Sequence, residues 1–245
     1  MLGAVELHVA FLPDETGPLR GRTVVVVDVL RATTSLLVML ERGCAEVLIA
    51  PSIEAARRYQ RAHPDVLLAG EQGGRAPAGF DFGNSPVAFA AAALAGRRVV
   101  FATTNGTRAM HMAREASLVL LGCLRNRSAV AREALSAARD GVGLSVVCAG
   151  REGRFSLDDA YTAGAIVAAA LSGREGAGSV DLTDAAMAAL ELYRGTAQPA
   201  ALFRRTRAGQ NVIAIGLPED LDYCAEPDRS ETVPRLGDRV QVVAR

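Results

Sequence analysis

The sequence predicts an α/β protein whose sheet is largely parallel or mixed. Short apolar runs recur along the chain, and alanine-rich stretches of helical length separate most of them. Alternation of strand and helix favours parallel pairing, because each helix carries the chain back across one face of the sheet. Half of the 245 residues are hydrophobic, enough for a core on both faces.

Seven apolar runs predict strands, and one more closes the chain. In order they are "VELHVAFL", "TVVVVDVL", "AEVLIA", "DVLLAGE", "RRVVFAT", "ASLVLLG", "GLSVVCAG" and "GDRVQVV". Helices are predicted for "SLLVMLERG", "SIEAARRYQRAH", "SPVAFAAAALAG", "GTRAMHMAREA" and "NRSAVAREALSAARDG", and a long helix from about Ser156 to Leu171. The later pattern is mostly helical as far as "QNVIAIGL".

The stretch "SGREGAGSVDLTD", residues 172–184, predicts a surface loop and not a domain linker. Too little chain follows it to build an independent core, so residues 1–245 are predicted to form one domain. The stretches "DVLRATTSL" and "FATTNGTRA" both place Ala-Thr-Thr between a strand and a helix. An internal duplication and chance are both open as the origin of this echo.

The charge content excludes several classes of function. The chain has 27 basic and 27 acidic residues, and every basic one is arginine. A balanced charge argues against a nucleic-acid or membrane partner. Without lysine there is no Walker phosphate loop and no Schiff base. Arginine offers a planar fork of donors that suits phosphate, carboxylate and sulfonate groups.

The cysteine, histidine and hydropathy patterns indicate where the protein is located and which catalytic or metal sites are absent from its motifs. The widely spaced Cys44, Cys123, Cys148 and Cys224 indicate reduced core residues in a cytoplasmic protein. No apolar stretch is long enough to cross a bilayer, and no signal peptide is evident. The three histidines form no zinc pattern, and neither G-x-S-x-G nor an Asp-x-Asp pair at Asp28 is present.

Five polar clusters follow predicted strands. They are "DVLRATT" (28–34), "GEQGG" (70–74), "GFDFGNSP" (79–86), "TTNGT" (103–107) and "CAGREGRFSLDD" (148–159). In a parallel sheet the carboxyl ends of the strands share one edge, where ligands bind in open α/β folds. Most of these clusters should therefore converge on one site.

Each cluster also has a purely structural interpretation. Ser85 and Pro86 are typical of a helix start, and Ser156 with Asp159 resembles a capping box. The pair Asn105-Gly106 is typical of a turn. Asp28 resists such an interpretation, because an acid directly after four valines is costly to bury without a partner.

The clusters suit anions and a hard cation together. Their glycines allow backbone amides to approach an anion, helix N-termini add positive dipole, and Arg31 or Arg108 adds charge. The carboxylates of Asp28, Glu71, Asp81 and Asp158 are oxygen ligands of the kind that Mg²⁺ prefers. A metal-activated water is then the simplest nucleophile.

Taken together and in order, "VDVLRATTS", "GEQGG", "GFDFGNSP", "TTNGTRA" and "AGREGRFSLDDAYTAGAI" resemble the 2-phosphosulfolactate phosphatase family. The stretch "LPEDLDYCAEPDRSETVP" is similar to the tail of that family, so the resemblance covers nearly the whole chain. One departure is Ala208, which stands where the family is expected to carry a histidine.

The resemblance implies a three-layer α/β/α fold and a Mg²⁺-dependent hydrolase that converts 2-phosphosulfolactate to sulfolactate and phosphate, a step toward coenzyme M. It implies a small anionic phosphorylated substrate. Catalysis is assigned to Asp28, Arg31 and Asp158, and metal binding to Asp28, Glu71, Asp81 and Asp158. Substrate binding is assigned to Asn84, Thr33, Thr34, Thr103, Thr104, Asn105, Gly106, Thr107 and Arg108.

Two further expectations concern function class and assembly. The alternative to a phosphatase is a non-catalytic module of the same fold that binds phosphate or sulfonate and senses a metabolite. Alanine-rich helices can pack closely, and enzymes of this size often form two-fold dimers, so a homodimer is predicted.

Overall fold

The computed structural model describes residues 4–103, 105–138, 142–172 and 179–242. Within them the strands are β1 (Val5–Ala10), β2 (Thr23–Val27), β3 (Glu46–Ile49), β4 (Leu67–Gly70), β5 (Arg98–Ala102), β6 (Leu118–Gly122), β7 (Leu144–Cys148), β8 (Val180–Leu182) and β9 (Val240–Val242). The helices are α1 (Ala32–Glu41), α2 (Ile53–Ala62), α3 (Pro86–Ala91), α4 (Gly106–Ala113), α5 (Arg127–Ala137), α6 (Leu157–Ser172), α7 (Asp184–Arg194), α8 (Pro199–Arg205), α9 (Arg207–Ala214) and α10 (Glu219–Ala225).

The strands divide between two sheets. The first has the order β6-β2-β7-β1-β8 and the second β4-β5-β3-β9. Every strand pair within these two sheets is parallel. Val27 lies opposite both Gly122 and Cys148, and Gly70 lies opposite Ala102. The carboxyl ends of neighbouring strands are therefore level, and the loops that follow them form one rim on each sheet.

Helices cover both faces of each sheet. On one face of the first sheet, Val25 and Val27 share a core with Ile166 of α6 and with residues of α5 and α7. On the outer face of the second sheet, Leu48 and Val100 pack against α2. The predicted α/β class, with a three-layer α/β/α arrangement about each sheet, is confirmed.

A shared helical layer lies between the two sheets. One core cluster contains Val26 of the first sheet and Ile49 of the second, together with Leu36 of α1 and Met110 of α4. All nine residues from Ala32 to Leu40 are buried, as expected for a helix that is apolar all round. The junctions that begin α1 and α4 are thereby brought to a common place at the strand ends.

Most predicted elements are confirmed, with two corrections. Residues 180–182 form β8, which pairs with the edge of β1, so the loop prediction for 172–184 is wrong there. Three residues are too few for an alternation of apolar and polar side chains to indicate a strand. Residues 173–178 of the predicted loop lie outside the described part. Helix α3 ends at Ala91, short of the predicted 85–96, because Ala92 is extended and the chain turns inward to bury Leu94.

The structure also bears on the predictions for the cysteines and for membrane-spanning segments. All four cysteines are buried and free of disulfide bonds, as predicted. Among the described helices, none combines the length and the apolar character that crossing a bilayer demands.

Candidate active site

Asp28 occupies the junction between β2 and α1. The valine run leaves it only 8% exposed, and the backbone amide of Ala32 donates to its Oδ1 at 3.4 Å. The hydroxyl of Thr33 donates to the Asp28 carbonyl at 2.9 Å and accepts from the Asp28 amide at 3.2 Å. These contacts fix the turn and aim the Asp28 carboxyl at the start of α1, where the helix dipole favours negative charge.

Three further carboxylates act on Asp28 or its neighbours. Burial, with smaller contributions from the charges of Glu71 and Asp158, raises the pKa of Asp28 from 3.8 to about 7. Burial likewise raises the pKa of Asp158. Burial, followed by the charges of Asp158 and Asp28, holds the pKa of Asp159 well above its usual range. Such a cluster gains stability from any cation placed within it.

Asp159 ties two strand-end loops together. Its Oδ1 accepts from the Val29 amide at 2.9 Å, and its Oδ2 accepts from the Gly150 amide at 3.1 Å. The capping-box interpretation of Asp159 is therefore wrong, because both oxygens bind amides outside its own helix. Instead Asp159 holds the loop after β2 against the loop after β7, and so it supports Asp28 from behind.

Asp158 lies next to Asp159 in the first turn of α6 and is 2% exposed. The Ser156 hydroxyl donates to its Oδ1 at 2.9 Å. Hydrogen bonds from Ser156 and Thr206 lower the pKa of Asp158 without overcoming the effect of burial. Thr206 caps α9, so the C-terminal helices reach this carboxylate as well.

The start of α4 meets Asp28 from the second sheet. A Cβ added to Gly106 would lie 2.7 Å from Asp28 Oδ2 and 2.8 Å from the Ala32 Cβ, so only glycine fits there. The hydroxyls of Thr103 and Thr107 lie 3.3 Å apart, and each accepts from the backbone amide of the other residue. The predicted residue Thr104 lies outside the described residues.

Arg31 does not pair with Asp28. Its guanidinium donates from Nη1 to Asp220 Oδ2 at 2.7 Å and from Nη2 to the Gly74 carbonyl at 2.8 Å. Arg31 is 3% exposed and Asp220 0%, so the ion pair is fully buried. The Ser85 hydroxyl donates to the other Asp220 oxygen at 2.6 Å. Arg31 thus joins α1 to α10 and to the loop after β4.

The predicted threonines of α1 are turned into the fold. Thr33 and Thr34 are 1% and 0% exposed. The Thr34 hydroxyl donates to the Val29 carbonyl at 3.0 Å, and the Thr33 hydroxyl is engaged with Asp28 as described above. Both hydroxyls therefore serve the turn itself.

Asn84 and Ser85 lie beside the Arg31 pair. Ser85 caps α3 through the Ala88 amide at 3.1 Å, with Pro86 in the first turn, which confirms the helix-start interpretation. Asn84 is 3% exposed, and its Oδ1 has no hydrogen-bond partner among the described residues. An oxygen buried in this way is a candidate ligand group.

The remaining predicted residues lie on the rim. The Asn105 side chain accepts from the Glu152 amide at 2.9 Å, which joins the loops after β5 and β7. Arg108 binds both oxygens of Asp14 at 2.9 and 2.8 Å. Glu71 accepts from the Gly74 amide at 2.7 Å. Asp81 is exposed, accepts from the Leu68 amide at 2.8 Å and lines a different groove, with Leu67 and Phe82.

Comparison with known proteins identifies the family. The sequence model for 2-phosphosulpholactate phosphatase matches residues 11–239. The chain belongs to the 2-phosphosulfolactate phosphatase family. The match spans the Asp28 cluster, the Arg31 pair and the rim loops, so the whole candidate site lies within it.

Curated relatives agree over most of their lengths. A protein from Deinococcus radiodurans is 44% identical over 239 residues, which covers 96% of each chain. One from Thermus thermophilus is 43% identical over 218 residues, or 89% of each chain. One from Gloeobacter violaceus is 38% identical and covers 86% of each chain. All three bear the name probable 2-phosphosulfolactate phosphatase.

The residues fit the Mg²⁺ that resemblance to the 2-phosphosulfolactate phosphatase family predicts. Asp28, Glu71 and Asp158 provide oxygen donors, and burial followed by the charges of Glu71 and Asp158 keeps the pKa of Asp28 raised. In the described ranges no three His, Cys, Asp or Glu side chains form a ready-made metal cage. Mg²⁺ needs none, since it is usually held by one or two carboxylates with water and substrate phosphate. Asp81 is not brought to this group.

Sequence reasoning missed Asp220 and undervalued Asp159. Both are acids buried within helices, which is unusual unless the charge is paired or hydrogen-bonded. The stretch "LPEDLDYC" carries three acids in the first turn of α10, and helix-start preference alone explains such a pattern. Only the burial of Asp220, unlike exposed Glu219, distinguishes it.

Proposed function

We propose that this protein is a Mg²⁺-dependent phosphomonoesterase that hydrolyses 2-phosphosulfolactate, or a similar phosphorylated three-carbon acid, to the hydroxy acid and phosphate. The observation that carries the proposal is the buried Asp28 carboxyl, placed where the starts of α1 and α4 meet, in a chain of this family. A carboxyl with a pKa near 7 beside amide donors suits a site that receives a cation and a phosphoryl group together.

The roles divide between two sets of residues. Asp28, with one of Glu71 and Asp158, would hold Mg²⁺. When bound, Mg²⁺ would supply Lewis acidity toward the phosphoryl oxygens and lower the pKa of a water. The start of α4 would hold the phosphoryl oxygens, because helix N-termini present N–H groups that have no partner within the helix. Arg31 would fix the geometry of this turn and add positive charge.

The reaction is an in-line displacement at phosphorus. A water oxygen bonds to phosphorus while the bond from phosphorus to the C2 oxygen of the substrate breaks. One proton leaves the attacking water, and one proton reaches the departing alkoxide. Asp158 is suited to move such a proton at its carboxyl, because burial raises its pKa from the usual acidic range. A cytoplasmic location and a place in coenzyme M formation belong to the same proposal.

The proposal is tested by turnover. Phosphate release is measured from phosphosulfolactate, phospholactate and 2-phosphoglycerate, with Mg²⁺, with EDTA, and after Mg²⁺ is restored. We expect hydrolysis of at least one acid, lost in EDTA and recovered with Mg²⁺. Binding of phosphate or sulfonate with no turnover under any metal would favour the alternative, a non-catalytic sensing module.

A further inference from the structure

A cavity of about 490 Å³ runs along α4, from Thr107 in its first turn to Arg114 just beyond its end. Pro51 and Thr103, which lie just beyond β3 and β5, form one side of it, and Thr107, Arg108, His111 and Arg114 form the other. Its size falls within the ~300–1,000 Å³ of small-molecule sites. Because Pro51 and Thr103 follow β3 and β5, the cavity lies at the carboxyl ends of strands of the second sheet, where α/β proteins bind ligands.

The cavity is basic. Arg108, His111 and Arg114 line it, and none of its lining residues is acidic. Asp14 engages Arg108 through Nη2 alone, so Nη1 and Nε of that guanidinium have no protein partner within the described ranges. Arg114 is exposed and makes no hydrogen bond or ion pair with any described residue. Arg114, which lines the cavity without a counter-charge among the described residues, and the unpaired Nη1 and Nε of Arg108 favour an anionic occupant.

This cavity lies next to the Asp28 site. Gly106 approaches Asp28 so closely that a Cβ would lie 2.7 Å from its Oδ2, while Thr107, the next residue, lines the cavity. Two consecutive residues at the start of α4 therefore face the Asp28 carboxyl and the cavity. The two sites are neighbours at the N-terminus of α4, so one small molecule could place a group in each.

We propose that this cavity holds the second strong anion of the substrate, the sulfonate, while the phosphoryl group lies at Asp28. The inference rests on the proposed function. A sulfonate carries three acceptor oxygens, which the forks of Arg108 and Arg114 and the hydroxyl groups of Thr103 and Thr107 can share. Arg114 and His111 are then specificity-determining residues for an acid that carries an anionic group on its third carbon.

The test compares substrates that differ at that carbon. Phosphosulfolactate carries a sulfonate where 2-phosphoglycerate carries a hydroxyl. In Arg114→Ala, the ratio of kcat/KM for phosphosulfolactate to that for 2-phosphoglycerate should fall about tenfold, since a charge-assisted hydrogen bond is lost. Arg114→Glu should lower it further. Arg58→Ala and Arg58→Glu, on exposed α2, remove or reverse a charge elsewhere and should leave the ratio unchanged. An unchanged ratio in both Arg114 variants would overturn the proposal.

A binding measurement separates this inference from the proposed function. Calorimetric titration with 3-sulfopropanoate, which has no phosphoryl group, should show binding to the wild type that Arg114→Glu weakens about tenfold or more. Such binding in a protein that hydrolyses no phosphomonoester would support the cavity and reject the phosphatase. Turnover of phosphosulfolactate with equal 3-sulfopropanoate affinity in wild type and Arg114→Glu would reject the cavity alone.

Discussion

Asp28 is a buried acid with no cationic partner in the described part of the chain. Arg31, three residues away, binds Asp220 and the Gly74 carbonyl instead. Amide hydrogen bonds from Ala32 and Gly106 lower the pKa of Asp28 only in part, and burial keeps it near 7. Removal of a carboxylate from water without a compensating charge is costly. A divalent cation beside Asp28 would supply the missing compensating charge.

Replacement of Asp28 tests that role directly. Asp28→Asn should lower kcat by about 100-fold or more and weaken Mg²⁺ by about 10-fold or more, because the amide keeps the shape but loses the charge. Steady-state kinetics over a Mg²⁺ titration measure both effects. Asp181→Asn, an exposed change on β8, is the matched control. Wild-type kcat and Mg²⁺ affinity in Asp28→Asn would contradict the assignment.

The raised pKa of Asp28 predicts how stability depends on pH in EDTA. The folded state binds this proton more tightly than the unfolded chain, whose pKa stays near 3.8. Stability from this group is therefore greatest below pH 4 and is lost as the pH rises through about 7, by at most on the order of 4 kcal/mol. Urea unfolding between pH 4.5 and 8 measures the decline. Asp28→Asn should flatten it, and an equal decline in that variant would assign the effect to other groups.

At the scale of elements, two junctions between a strand and a helix form the site. The β2–α1 junction supplies Asp28, and the β5–α4 junction supplies Gly106, which contacts it. Both carry Ala-Thr-Thr, the echo noted in the sequence. The first threonines of the two motifs behave alike in one respect: the hydroxyls of Thr33 and Thr103 each accept from a backbone amide four or five residues away, that of Asp28 and that of Thr107. The motif stabilises a tight turn that brings a helix N-terminus to the rim.

Gly106 is predicted to be essential for the approach of α4. Gly106→Ala places a methyl carbon against Asp28 Oδ2 and Ala32, so α4 or Asp28 must shift. We expect kcat to fall about tenfold or more, since small displacements of reacting groups are costly, while far-UV circular dichroism stays native. Gly83→Ala is the control, because its Cβ would meet only ordinary contacts, at 3.6 Å or more. Full activity in Gly106→Ala would show that this approach is not needed.

Helix α10 contributes through the buried pair of Arg31 and Asp220. Arg31→Lys replaces a fork with a point charge that cannot reach both Asp220 and the Gly74 carbonyl. We expect KM to rise about tenfold with a smaller change in kcat, and stability to fall by about 1–3 kcal/mol.

A double-mutant cycle shows whether Asp220 acts through Arg31. Asp220→Asn alone should destabilise by about 3–5 kcal/mol, since it leaves a buried cation unpaired. Arg31→Lys combined with Asp220→Asn should cost less than the sum of the single changes, because the two side chains share one interaction. Strict additivity in urea unfolding and in KM would contradict this role.

At the scale of the whole molecule, the site is assembled from distant parts of the chain. The first sheet takes β1, β2, β6, β7 and β8, and the second takes β3, β4, β5 and β9. Neither sheet corresponds to one half of the sequence, so a simple duplication of consecutive halves does not describe them. The interleaving allows α1, which follows a strand of one sheet, to lie in the layer shared with the other.

The predicted homodimer is a property of the whole molecule that remains to be measured. Multi-angle light scattering at micromolar concentration should give a mass of about 51 kDa, twice the 25.6 kDa of one chain. The mass should hold at higher ionic strength if the contact is formed mainly by small apolar side chains. A mass near that of one chain under both conditions would refute the dimer.

The sequence by itself determined the α/β class, the order of nearly all elements and the unusual position of Asp28 as a buried acid. These follow from local signals. Valine runs specify buried strands, alanine-rich periodic stretches specify helices, and an acid at the end of "TVVVV" conflicts with its own surroundings. Each signal lies within about ten residues, so it can be detected without knowledge of the tertiary contacts.

Only the tertiary structure decided which strands are neighbours and which buried groups pair. Asp159 holds Val29 from 130 residues away, and Asp220 holds Arg31 from 189 residues away. Nothing in the local pattern encodes such partners, since an acid in the first turn of a helix has the same local signature whether it caps, binds a distant amide or meets solvent. The basic cavity at Arg114 arises in the same way, from side chains that share a face only after α4 docks beside the ends of β3 and β5.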